Sequence, residues 1–420
     1  MSLSHNFRNS KPTYVLPASR AELPMKVVIA AVGSPEYLSG VTRHAANMTR
    51  CLLTHPGVSE VHLIAAEWQY RALCDALPQN HCKLRLHSIS MDRNAVSFNL
   101  WYYTRLPALA AQLGADVVHL AYPVPLNWRA FHCPTVVTLH DLYPYDIPDN
   151  FGYPKALFNR MVLRQCMRAV DAIACVSEST LRRLDIHAPQ YALQKAVTIY
   201  NCVEPGPPMA VQSPLPNWNG EPFLLCVAQH RQNKNIPLAV ETFRRLLIDK
   251  DISSTTSLVI IGIEGRETER IHQLIDHAGL RHQVVLLRGV SDSELQWFYS
   301  RCELLLAPSL VEGFGLPVVE AMLNHCRVVC SDIPAFREVG GSYCYYASLQ
   351  HPAEEAFVSA ARSALKSIRF RASSADRFAG AHIAEAYLQL YTQLRRGRSV
   401  VSSFSDRDLR PALARERGQS

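Results

Sequence analysis

Short, nearly uninterrupted apolar runs alternate along this chain with stretches whose apolar residues recur every three or four positions. The runs occupy 26–32, 61–65, 117–120, 135–139 and 172–176, and again 223–227, 258–261, 284–287, 304–307 and 328–330. Apolar runs of three to seven residues read as strands buried on both faces, and helical periods between them predict parallel sheets covered by helices on each side. Pro205, Pro207, Pro208, Pro214 and Pro216 break the alternation between its two halves, as a linker would. The pattern predicts an N-terminal extension (1–24), a first α/β domain (25–205), a linker (206–220), a second α/β domain (221–380), a closing helix (381–394) and a tail (395–420). Two such sheets leave a cleft at the carboxyl ends of their strands, where ligands of doubly wound folds bind.

Composition narrows this picture. A chain of 420 residues exceeds a single core, and its 48% hydrophobic content suits a globular protein. No apolar run approaches the roughly eighteen residues of a membrane span. Residues 1–24 are polar, are interrupted by Pro12 and Pro17, and lack the apolar centre of a signal peptide. The twelve cysteines are scattered, with Cys175 and Cys226 inside apolar runs, and Cys326 and Cys330 lack the second pair or histidines that a zinc site needs. Buried free thiols in a reducing cytoplasm are expected. The net charge of +7 is concentrated in residues 395–420, where seven arginines face Asp406, Asp408 and Glu416. With Phe404 as its only aromatic residue, that tail reads as a disordered, solvated end, and no nucleic-acid partner is expected. No Asp-x-Asp stands at a strand end: Asp249-Lys250-Asp251 follows a helix and Asp406-Arg407-Asp408 lies in the tail, so neither metal nor cofactor is expected.

The densest chemistry follows the run at 304–307, in Glu312-Gly313-Phe314-Gly315-Leu316-Pro317-Val318-Val319-Glu320. Gly313 and Gly315 let the backbone approach a ligand, Pro317 suits a first helical turn, and free amides there attract an anion. Glu320, read as part of that first turn, would repel phosphate and suits neutral hydroxyls such as those of a ribose. Glu312 precedes the turn and is free to accept hydrogen bonds from a second polyol. A capped helix with two solvated acids is the plainer explanation of so short a glycine motif.

The whole segment 288–320, from Arg288-Gly289-Val290-Ser291-Asp292 to Glu320, resembles the donor-site signature of the family 4 glycosyltransferases, and other segments resemble that family in the same order. The resemblance implies the GT-B fold: two Rossmann-like, doubly wound parallel-sheet domains facing a cleft, the closing helix crossing back to the first domain. It also implies roles. In 224–235, Lys234 matches the lysine that neutralises the donor diphosphate, whereas the arginine position right after the strand holds Gln229; Arg231 would serve instead, or be a solvated loop charge. His140, in Val136-Val137-Thr138-Leu139-His140-Asp141, matches a histidine that approaches the donor sugar. Gly40, in the loop after the first strand, would lie over the diphosphate and acceptor, with Arg43 close by; a tight turn explains that loop equally well, and its glycines, Gly33 and Gly40, lack dinucleotide-fingerprint spacing. Gly262 and Arg288 would border nucleobase and diphosphate, with the amides of Gly313, Phe314, Gly315 and Leu316 completing the anion site. Cys202 stands where relatives often have glycine, which implies strain or a changed turn. Tyr122, Tyr143 and Tyr145 suit an acceptor pocket or simple packing.

The expected activity is metal-independent, retaining transfer of a hexose or related sugar from a nucleotide-sugar donor to a hydroxyl of a glycan or lipid-linked acceptor, in bacterial surface polysaccharide or glycolipid synthesis. The location expected is the cytoplasm, and relatives that act on lipid carriers suggest peripheral contact with the inner face of the cytoplasmic membrane. A nucleotide-sugar epimerase or hydrolase of the same fold, and a non-catalytic nucleotide-sugar binding module, are the alternatives. The shared motifs set neither the base nor the sugar of the donor.

Overall fold

The computed structural model describes residues 23–36, 39–204, 212–215, 218–350, 352–369 and 373–397. Its first sheet comprises β1 (Met25–Ala30), β2 (Val58–Ala66), β3 (Leu84–Ile89), β4 (Val117–Leu120), β5 (Thr135–Leu139), β6 (Ala172–Cys175) and β7 (Ala196–Thr198), ordered β3-β2-β1-β4-β5-β6-β7. The second comprises β8 (Phe223–Val227), β9 (Ser257–Ile261), β10 (Val284–Leu287), β11 (Leu304–Ala307), β12 (Val328–Ser331) and β13 (Tyr345–Ala347), ordered β10-β9-β8-β11-β12-β13. Neighbouring strands pair in parallel throughout, so each half repeats the doubly wound order and reverses direction beside its first strand.

The apolar runs correspond to the inner strands and to the edge strand β10, whereas β3, β7 and β13 have no counterpart among them. Each of these three stands at a sheet edge. An edge strand has one neighbour and needs no continuous apolar run: β3, Leu84-Arg85-Leu86-His87-Ser88-Ile89, is partly exposed throughout, and β7 and β13 have three residues each.

Strand alternation divides the first lobe's core. Val27 and Ile29 pack with the helices Gly40–Thr54 and Gly380–Arg395, while Val28 and Ala30 pack with Ala95–Gln112 and Lys155–Ala169 on the opposite face. The Gly380–Arg395 helix buries Ile383, Tyr387, Leu390 and Tyr391 in this first-lobe core. Arg395, assigned from sequence to a solvated tail, instead ends that helix at 1% exposure; it pairs with Asp116 at 3.7 Å and donates to the Leu23 carbonyl. Apolar side chains of the helix carry it into the core, where Asp116 compensates its charge. The remainder of the tail (398–420), residues 1–22 and most of the proline-rich linker lie outside the described residues. At Cys202, of the two alternatives expected, left-handed strain is absent. Among the described residues the only non-glycine positive φ angles are at Asn80, Asn235, Lys250 and His325, so the cysteine causes no left-handed strain; its carbonyl accepts from Asn47 at 2.9 Å.

The lobes touch behind the cleft. Ser177 and Thr180 donate to the Gly313 carbonyl, and Glu338 of the second lobe accepts from the amides of Glu178 and Ser179 at 2.7 and 2.9 Å. A carboxylate there meets the positive end of the Glu178–His187 helix dipole, already capped by Ser177.

Candidate active site

A cleft of about 1600 Å³ separates the lobes, and every residue that the resemblance assigns to contact with the donor lines it. Its second-lobe wall follows from strand order. Because β8 and β11 are neighbours, the loops leaving their carboxyl ends meet, and the Leu310 amide donates to the Asn233 carbonyl at 2.8 Å. Lys234 Nζ thereby reaches Glu312 Oε1 at 2.5 Å; the same oxygen accepts from Ser309 at 2.7 Å, and Tyr143 donates to Oε2 at 3.3 Å. Glu312 is therefore not free, as expected from sequence, but three neighbours hold it. The spacing of 312–320 carries no trace of Lys234 or Tyr143. Arg231 is exposed in the same cleft, and among the described residues its guanidinium takes no hydrogen-bond partner.

The turn after Glu312 is built for close approach. A Cβ on Gly313 would lie 1.7 Å from the His140 carbonyl, and Gly315 has φ +104°, so only glycine fits either place. Among the described residues the amides of Gly313, Phe314, Gly315 and Leu316 find no protein acceptor, while those of Val318 and Val319 turn back to the Gly315 carbonyl. Orphan donors at a helix start make an anion site. The ring of Phe314 packs against Tyr200 and Phe378, leaving its backbone to serve the cleft. Glu320 is the fifth residue of the Leu316–Leu323 helix, one turn deeper than expected, because the helix starts at Leu316. Tyr299 donates to it at 2.8 Å, and burial raises its pKa against the pull of Arg43 and Tyr299.

The first-lobe wall is histidine-rich. His140 Nε2 lies 2.8 Å from the Ala121 carbonyl, which can only accept, so Nε2 bears the proton and Nδ1 is left as an acceptor. Burial pushes this imidazole down to about 4, so it is neutral near pH 7. The His44 ring meets it edge-on at 4.8 Å; His44 and His119 both bond Thr138, and His119 reaches Tyr391 at 2.6 Å, linking the cleft to the Gly380–Arg395 helix. Asp141 is pushed up to about 6, chiefly by burial and then by Glu312, with the Tyr143 amide, Lys234 and Arg231 opposing.

At the cleft's rim, Arg43 pairs with Asp292 of the other lobe at 2.5 Å. Arg288 pairs with Glu264 at 3.2 Å, both largely exposed, and Gly262 is required by packing, since a Cβ would lie 1.8 Å from the Ala228 carbonyl. Gly40 begins the Gly40–Thr54 helix after its Ser39 cap, and a Cβ there would meet nothing within 4 Å. Tyr122 and Tyr143 line the cleft, whereas Tyr145 stacks on His187. Asp292, Ser309 and Tyr299 are site neighbours that sequence reasoning missed; only the Ser291 capping box marks one of them, Asp292, as a helix start.

Known proteins resemble this chain in both of its halves. The family described as Glycosyltransferase Family 4 matches residues 38–206, and the one described as Glycosyl transferases group 1 matches 212–375. The O-antigen chain mannosyltransferase RfbU of Salmonella typhimurium is 28% identical over 206 residues, covering 48% of this chain, which spans about half (53%) of that protein. O-antigen chain mannosyltransferase B of Escherichia coli is 25% identical over 342 residues, covering 76% of this chain and 85% of its own. Among solved structures, sucrose-phosphate synthase from Thermosynechococcus elongatus superposes with a TM-score of 0.63 at 16% identity, covering 88% of this chain and 99% of its own. Anabaena Alr3699/HepE in complex with UDP and glucose gives 0.57 at 14%, covering 89% and 97%. At such identity the structures speak for the fold alone, which is GT-B; the two family matches, which together span both halves, show that the chain belongs to the family 4 glycosyltransferases.

Proposed function

We propose that the protein transfers a hexose or related sugar, with retention of anomeric configuration and without a metal, from a nucleoside-diphosphate sugar to a hydroxyl of a glycan or lipid-linked acceptor in bacterial surface polysaccharide synthesis. The observation that carries this reading is the meeting of Lys234, Arg231 and the unpartnered amides of Gly313–Leu316 in one cleft, directly against the His140 loop. As the bond from C1 to the phosphate oxygen breaks, its electron pair passes to the diphosphate. Two cations and oriented amides meet that growing charge where it develops. The acceptor oxygen bonds C1 on the face the diphosphate leaves, and the departing phosphate takes the hydroxyl proton. His140 Nδ1 accepts a sugar hydroxyl, Glu312 holds sugar hydroxyls while fixing Lys234, and Glu320 holds the ribose. In this reading Lys234 and Arg231 supply the positive charge that a metal would otherwise bring to the diphosphate.

Support for the biology comes from relatives named as O-antigen mannosyltransferases and from a neighbour solved with UDP and glucose. The expected location is the cytoplasm, with peripheral contact at the inner face of the cytoplasmic membrane when the acceptor is lipid-linked; no helix among the described residues is long and apolar enough to cross a membrane. Thermal stabilisation by UDP, GDP and ADP identifies the base, because a ligand bound only by the native state raises apparent stability with concentration. Transfer assays with the matching sugars, with and without chelator, then give product whose anomeric centre is read by NMR. A product of the donor's configuration, formed equally with chelator, is expected. Inverted product, or isomerised or freed sugar without an acceptor requirement, contradicts the reading.

A further inference from the structure

On the first-lobe wall of the cleft, Gln69 holds a buried donor that has no partner. It stands in the first turn of the Glu67–Ala76 helix, 1% exposed, and its Oε1 accepts from the amides of Gly33 and Ala66 at 3.0 and 3.1 Å. Two amide donors fix which end of the side chain is oxygen; the other end is Nε2, and among the described residues it finds no acceptor. Buried amide donors are rarely left so. A Cβ on Gly33 would lie 3.7 Å from this nitrogen and 3.6 Å from the Tyr122 hydroxyl oxygen. Those are ordinary contacts, and Gly33 has no positive φ, so neither packing nor backbone conformation requires a glycine there. The missing side chain instead leaves a gap on the cleft, which Gly33, Gln69 and Tyr122 all line.

We infer that this gap reads a neutral hydroxyl of the acceptor, and that Gln69 and Tyr122 are the pair that selects an uncharged glycan at this end of the cleft. Tyr102 and Tyr122 both donate to the Val32 carbonyl, at 2.9 and 2.5 Å, and burial pushes the Tyr122 hydroxyl up to about 12, so it keeps its proton there and turns a lone pair to the gap. One donor and one acceptor, both uncharged, suit a hydroxyl, which accepts from Gln69 and donates to Tyr122; an anion would face the lone pairs of the phenol. Strand order separates the gap from the donor sugar. Gly33 follows β1, Tyr122 follows β4 and His140 follows β5, so the gap lies two strand spacings, roughly 10 Å, from the His140 loop against which Gly313 packs. That exceeds the span of the single ring that leaves the diphosphate. Trp68 steadies the gap: its Nε1 donates to the Gly33 carbonyl at 2.9 Å, and it lies 5.8 Å from Phe98, which also lines the cleft. Assigning the hydroxyl to an acceptor rests on the proposed transfer; the hydroxyl-reading pair itself does not.

Saturation-transfer NMR on the full chain, with and without UDP or GDP, reads the binding of methyl α-glycosides of mannose, glucose, galactose and glucuronic acid. A neutral glycoside is expected to bind, and the glucuronide at least about tenfold more weakly. Gly33→Ala places a methyl group in the gap, and Gln69→Glu keeps an oxygen on both amides while removing the donor; each should weaken the neutral glycoside about tenfold or more. A cooperative thermal transition shows that a variant folds, and Gly33→Ala decides alone if Gln69→Glu does not fold. Among monodeoxy analogues of the bound glycoside, one should lose about tenfold on the unmodified chain and nothing further on Gln69→Glu, which a merely structural role for Gln69 would not produce. Absence of binding by every neutral glycoside, equal binding of the glucuronide, undiminished binding by folded variants, or the same deoxy losses with and without Gln69 overturns the inference. Glycoside binding that falls in both variants while no nucleotide stabilises any form supports the gap and refutes the donor reading instead.

Discussion

Two ion pairs of equal length stand in one cleft and differ in what holds them. Lys234 and Glu312, 2.5 Å apart, come from loops on neighbouring strands of a single sheet, so the strand order alone brings them together. Arg43 and Asp292, also 2.5 Å apart, come from different lobes, and their contact exists only at this separation of the lobes. The first pair belongs to a rigid element and the second reports its relation to another. Chemistry that must be positioned within tenths of an ångström is served by the former, and opening or closing of the cleft by the latter.

Breaking each pair should therefore give different kinetics. Glu312→Gln and Lys234→Ala each lower kcat/KM by about 10³-fold or more, since they disturb cationic stabilisation of the leaving diphosphate. Steady-state transfer rates check this, and unchanged turnover in either variant rejects the role assigned. Arg43→Ala and Asp292→Ala have the smaller effect: about a tenfold rise in donor KM with kcat little changed, and a double variant no worse than either single one, as expected of one shared contact. Additive losses would show that the residues act separately.

The lobes should also part company in acid. His119 and His140 are held down at about 3 and about 4 by burial, and His44 is lowered too, all in the first lobe. A histidine whose folded pKa is depressed binds fewer protons in the native state, so its contribution to stability is present above about 6.5 and is lost as pH falls towards the folded value. Glu320 and Glu338 of the second lobe are raised by burial and have the opposite sign, gaining as pH falls from their folded values to the ordinary carboxylate range. Asp141, raised to about 6, offsets the histidines in part between about 6 and 4. Hydrogen exchange is expected to show first-lobe amides losing protection before second-lobe amides between pH 6.5 and 4, more gently in His119→Gln. Equal loss in both lobes would show that the buried histidines do not govern the first.

Inner strands such as β4 and β11 were legible because burial on two faces demands an apolar run, and the edge strand β10 was legible through its run at 284–287, whereas β3, β7 and β13 at the other edges were not. The same limit applies to the site. Residues 312–320 lie in one turn and its helix, so their spacing predicts a helix start with free amides directly. Lys234 also carries a sequence signal, through its resemblance to a diphosphate-binding lysine, yet its grip on Glu312 appears only once β8 and β11 are neighbours. The Arg43–Asp292 contact, the Glu338 cap on the amides of Glu178 and Ser179, and the chain from His44 through Thr138 and His119 to Tyr391 join residues far apart in sequence, and no local period records them.

The central claim is that the donor's diphosphate lies at the start of the Leu316–Leu323 helix, between Lys234 and the Gly313–Leu316 amides. A crystal structure with the nucleoside diphosphate that best stabilises the protein tests this most directly. Phosphate oxygens within hydrogen-bonding distance of Lys234 Nζ and of at least one of those amides are expected, and a diphosphate bound elsewhere in the cleft, or outside it, would contradict the account.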